Sequence, residues 1–68
     1  MAHILHEFRS RRFFVRSVWI NGRERFEVVQ IDGFGFRVAF TFETEREAAQ
    51  CHRRLIEARE ANRERRRL

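Results

Sequence analysis

Phe13-Phe-Val-Arg-Ser-Val-Trp-Ile-Asn-Gly-Arg-Glu-Arg-Phe-Glu-Val-Val29 is the stretch on which the fold turns. Two runs rich in aromatic and β-branched residues, 12–20 and 23–31, flank Asn21-Gly22. Such runs favour strands, and Asn-Gly favours a type I′ turn, which needs positive φ at both central residues. The reading is a β-hairpin whose two-residue turn fixes the register. Arg16 then faces Glu27, Val15 faces Val28 and Phe14 faces Val29, so that opposite charges meet across the strands.

Working outward, Asp32-Gly-Phe-Gly35 is a second turn, and Phe36-Arg-Val-Ala-Phe-Thr-Phe42 a third strand. The length of this loop decides the core face, because a one-residue slip moves every side chain across the sheet. An even loop groups Phe36, Val38, Phe40 and Phe42 with Arg12, Arg16, Arg23 and Arg25. A three-residue loop, with a glycine in the left-handed region, groups them with Phe13, Val15, Trp19, Phe26 and Val28. Burying arginines without partners is costly, so the three-residue loop is expected.

Thr44-Glu-Arg-Glu47 has the form of a capping box and starts a helix over 44–66. Acidic residues cluster at its start and arginines at its end, matching the helix dipole. Ala48, Cys51, Leu55 and Ala58 recur at helical spacing and are expected to face the sheet, with Ala49 and Ile56 flanking. Residues 1–10 are irregular or form a short edge strand. The expected fold is α+β: a three-stranded antiparallel meander, 12–42, packed on one C-terminal helix, with residues 1–68 a single domain.

With 68 residues there is room for one small core of marginal stability. Cys51 is the only cysteine, so no disulfide supplements it, and a lone thiol fits a reducing cytoplasm. No stretch approaches the roughly 20 apolar residues of a membrane span, and the first residues lack the features of a signal peptide. A cytoplasmic protein without a membrane segment is expected. The net charge is +5, and all 15 cations are arginine. The pI near 11.4 favours an anionic partner. Arginine pairs in a planar fork with phosphates and carboxylates.

The expected register leaves an outer sheet face with Arg12, Arg16, Arg23, Arg25 and Arg37 against one acid, Glu27. Phe14, Val18, Ile20, Val29 and Ile31 lie among them. Such a face is either solvated and partly covered by the N-terminal segment, or a binding surface. Nucleic acid, with double-stranded DNA foremost, suits it: arginines grip phosphates while the sheet lies in the major groove. An acidic protein surface or a second copy of the chain also suits it, with Phe14, Val18, Val29 and Ile31 as anchors. The helix tail, including Arg63 and Arg66, adds non-specific phosphate affinity or is simply a solvated helix end.

A zinc reading of His3, His6, Cys51 and His52 fails on geometry, since adjacent helical residues point about 100° apart. A buried thiol and surface histidines are expected instead. Cys51 has no activating partner at readable spacing, and Gly33-Phe-Gly35 leads into no helix, so neither a nucleophile nor a phosphate-cradling loop is present. No enzymatic activity, metal or cofactor is expected.

Trp19-Ile-Asn-Gly-Arg23 followed by Phe42-Glu-Thr-Glu-Arg-Glu-Ala-Ala49, in a strand–turn–strand–turn–strand–helix order, resembles the N-terminal arm-type DNA-binding domain of phage integrases (tyrosine recombinases). The resemblance spans residues 12–60. It implies a sheet that enters the major groove and assigns DNA contact to Arg12, Arg16, Arg23, Arg25 and Arg37. Departures from that family are expected in the absence of a catalytic domain after the helix and in the more apolar outer face. Small phage and mobile-element proteins that inhibit host complexes, anti-CRISPR proteins among them, share the topology and imply the alternative of a protein-interaction module.

Overall fold

The computed structural model describes residues 2–67, the side chains of Arg66 and Arg67 excepted. Strands β1 (His3–Arg9), β2 (Phe13–Ile20), β3 (Arg23–Asp32) and β4 (Gly35–Phe42) form one antiparallel sheet in chain order, followed by helix α1 (Glu45–Arg67). The fold is α+β, with one correction: the sheet has four strands, not three. Residues 3–9 occupy the free edge of β2, where unpaired backbone groups would otherwise face solvent. Ile4 lies opposite Arg16 and Leu5 opposite Val15; pairing then breaks until Arg9 meets Phe14. The interruption carries Phe8 onto the helix side, where it packs against the core.

The β2–β3 hairpin has the expected register. Phe14 pairs with Val29, Val15 with Val28 and Arg16 with Glu27. Asn21 and Gly22 both have positive φ, 52° and 77°, as a type I′ turn demands.

The β3–β4 hairpin is a second correction. Asp32 pairs with Gly35, so its loop has two residues, not three. The Asp32 carboxylate accepts the Phe34 amide at 2.7 Å and holds the turn, while Gly35 takes a φ of 132° that side-chain-bearing residues avoid. The even loop puts Phe36 opposite Ile31 and Val38 opposite Val29, both on the outer face. A bulge at Ala39 then absorbs one residue, and beyond it Phe40 pairs with Val28 and Phe42 with Phe26 on the helix side. Strand β4 therefore serves two faces, and the expectation that all four of its large apolar residues share one face is overturned. Arg37 pairs with Gln30 and stands on the helix side, contrary to the outer position expected for it.

The helix starts at a Thr44 cap. The Thr44 hydroxyl accepts the Glu47 amide at 3.2 Å and donates to the Glu47 carboxylate at 2.9 Å. Beneath the helix, Val15, Val28 and Ala48 are fully buried, ringed by Leu5, Phe8, Phe13, Phe26, Phe42, Cys51 and Leu55. The inward stripe runs through Ala48, His52 and Leu55; Ala58 is exposed. His52 is buried where a surface histidine was expected, and Cys51 is only half-buried. Trp19 shares the helix side but is 60% exposed, because its row, opposite Glu24, lies beyond the end of β4.

Candidate nucleic-acid interface

The outer face keeps three of its five expected arginines, and two of these are engaged within the chain. The Arg16 Nε donates to Glu27 Oε1 at 2.8 Å, with Glu27 almost wholly buried. Arg25 bonds Glu43 at 2.8 Å. That hydrogen bond, then the charges of Arg25 and Arg23, hold the Glu43 carboxyl below its ordinary value. Arg23 is exposed at the Asn21–Gly22 end. Arg37 donates to Gln30 at 3.3 Å on the opposite side of the sheet. The arginines expected to line one DNA-reading surface are thus partly spent and partly dispersed.

Arg12 goes elsewhere, and it leads to the cluster that sequence reasoning missed. Residues 10–13 form a tight turn between β1 and β2. The Ser10 amide donates to the Phe13 carbonyl at 2.8 Å, and the Phe13 amide donates back to the Ser10 hydroxyl at 3.3 Å. The Arg12 carbonyl accepts the Ile31 amide at 2.7 Å, tying the turn to β3. Arg11 and Arg12 occupy the two central positions and are exposed. Opposite them stand Arg59 and Arg63, one helical turn apart on α1. The four arginines line a cleft of about 170 Å³ with Phe13, Leu55 and Glu60 among its walls. Arg12, Arg59 and Arg63 also share a neighbouring recess with Asn62.

Among the described residues the ion pairs are Arg16–Glu27, Arg25–Glu43 and Arg53–Glu57, so none of the four cleft arginines is paired. Partial desolvation, then the charges of Arg12, Arg63 and Arg11, push the Arg59 guanidinium below its ordinary value. Four like charges against the one carboxylate of Glu60 in the cleft wall still repel, and an anion between them relieves that repulsion. No family model, curated protein or solved structure matches this chain.

Phe14 and Val29 lie on the outer face but are buried, at 6% and 0% exposure, with the Phe36 ring edge-on to Phe14 at 5.6 Å. Val18 and Ile31 are half-buried on the same face. Arg63 belongs to the cleft, and the Arg66 side chain lies outside the described residues. Burial pushes the Cys51 thiol up, against the nearby Arg54 charge. Burial pushes His52 down, opposed by the nearby backbone of Phe13. Among the described residues no three His, Cys, Asp or Glu side chains gather in a group fit for a metal ion, and no helix is long and apolar enough to cross a membrane.

Arg11 and Arg59 had a signal in the sequence, namely two arginine-rich segments, 9–12 and 59–67, at opposite ends of the chain. Only the oblique course of the helix, from Phe42 to the Ser10–Phe13 turn, shows that they meet.

Proposed function

We propose that this chain is a non-enzymatic nucleic-acid-binding module that holds phosphates in the cleft between its first turn and the second half of its helix. One observation carries the reading: four guanidinium groups, from Arg11, Arg12, Arg59 and Arg63, converge with none in an ion pair among the described residues. Guanidinium forks suit phosphate oxygens, and two arginines one turn apart, about 6 Å at Cβ, can meet successive phosphates of one strand. Contacts of this type fix position on a backbone and carry no base sequence. The integrase resemblance agrees in partner class, with the contact moved from the sheet face to the helix side.

The test is fluorescence-anisotropy titration of a labelled DNA duplex across a salt series. Each phosphate contact contributes about 0.9 to the slope of log affinity against log salt. The Arg12→Ala/Arg59→Ala double variant is expected to lose about two contacts, hence a slope change of about 1.8. The charge-matched control Arg46→Ala/Arg53→Ala changes the same net charge away from the cleft and is expected to keep the slope. An absence of binding at low salt, or equal losses in both double variants, defeats the reading.

A further inference from the structure

We infer that the outer sheet face is the contact between two copies of this chain, stacked face to face with their helices outermost. The face has an apolar centre, and among the described residues no element of the chain lies above it. Val29 is completely buried there, screened by its strand neighbours, while the side chains around it remain open: Phe36 at 71% exposure, with Ile4, Ile20 and Val38 each near half.

The amount of surface argues for a partner. A monomeric protein of 8.4 kDa ordinarily exposes about 4,600 Å², whereas this chain exposes 5835 Å². Part of the surplus belongs to the helix end, which at 23 residues outruns the eight-residue strand beside it. The open face contributes as well, through Phe36, Ile4, Ile20 and Val38. Four strands about 4.8 Å apart and about 26 Å long present roughly 500 Å² in projection, and more as accessible surface. That approaches the roughly 800 Å² that each partner contributes to a stable interface.

Charge selects a second copy as the occupant. The chain carries +5, so two copies repel wherever their free arginines meet. On this face Arg16 is neutralised by Glu27 and Arg25 by Glu43, which leaves Arg23 at one corner and Arg9, opposite Phe14, at the far end of β1. An acidic partner would gain little here and would be drawn to the cleft on the opposite side. With its free arginines confined to the corners, the outer face lets two such basic molecules bring their apolar centres together.

The test is sedimentation equilibrium of the full chain from micromolar to millimolar concentration, without nucleic acid. The expected result is a mass twice 8.4 kDa at the upper end, dissociating on dilution. Phe36→Asp and Ile20→Asp, each at an exposed side chain, are expected to sediment as monomers with unchanged far-UV ellipticity. Phe34→Asp, on the turn tip off the face, is expected to dimerise normally. A wild-type monomer throughout the range overturns the inference. So does a dimer that survives Ile20→Asp, since β2 is not an edge strand and edge-to-edge pairing through β4 would not need it. The wild-type dilution series decides the matter even if an aspartate variant fails to fold.

Discussion

Deletion of Ala39 tests the two-faced β4 strand directly. In the bulge, Val38 pairs with Val29 and Phe40 with Val28, leaving Ala39 as the supernumerary residue. Removing it joins Val38 to Phe40 in an unbroken ladder and keeps every side chain on its present face. Removing Thr41, which pairs with Glu27, also shortens the strand by one residue, but it transfers Phe42 to the outer face. Phe42 is half-buried against the core cluster. At about 25 cal/mol per Å² over somewhat more than 100 Å², its displacement costs about 3 kcal/mol. A 68-residue domain has a stability of about 3–10 kcal/mol. The Thr41 deletion should therefore lose about 3 kcal/mol, a large share of the total, while the Ala39 deletion should lie within about 1 kcal/mol of wild type. Urea unfolding followed by far-UV ellipticity separates the two. An Ala39 deletion as damaging as the Thr41 deletion would refute the two-residue loop and its compensating bulge.

Three further outcomes follow from single sites. Gly22→Ala meets nothing within 4 Å of its new Cβ, so its expected loss of about 1 kcal/mol is purely the cost of a φ of 77° and shows as a lowered urea midpoint with unchanged slope. Arg16→Ala strands the buried Glu27 carboxylate; because Arg16 keeps some exposure, the expected loss is about 1–2 kcal/mol, and the double change Arg16→Met/Glu27→Leu should recover most of it. His52 is held below its ordinary value by burial, so the unfolded chain takes up a proton first as pH falls. Its stability contribution is complete above about 6.5 and declines below it, by at most about 1.4 kcal/mol per pH unit, until the folded histidine also titrates. His52→Gln should flatten that part of a thermal-unfolding pH profile.

The central hairpin and the helix start were legible because each rests on local chemistry. Asn21-Gly22 sets a turn type, the turn sets a register, and Thr44 with Glu47 sets a cap. What the sequence concealed was governed by choices of equal local quality. Gly33 and Gly35 permit both a two- and a three-residue loop, and the Asp32 side chain that selects the shorter one acts through a single hydrogen bond. The bulge at Ala39 carries no sequence mark of its own. The rule against burying arginine was sound, yet it was met by pairing Arg16 with Glu27 and by exposing Arg37, with no need to gather every phenylalanine under the helix. Strand β1 was obscured because its alternation fails after Leu5. The inward turn of His52 was hidden by a stripe of alanines that fits more than one helical phase.

The cleft joins chain segments nearly fifty positions apart, Arg11–Arg12 and Arg59–Arg63, in a sheet where every strand pairs only with its sequence neighbour. The meander can zip from the Asn21–Gly22 hairpin outward, leaving the helix to dock as the closing event. A polyanion that bridges turn and helix therefore recognises only the finished molecule. It would act as a latch on the last-formed element, slowing unfolding and raising the melting temperature in proportion to its concentration, while leaving the rate of hairpin formation untouched.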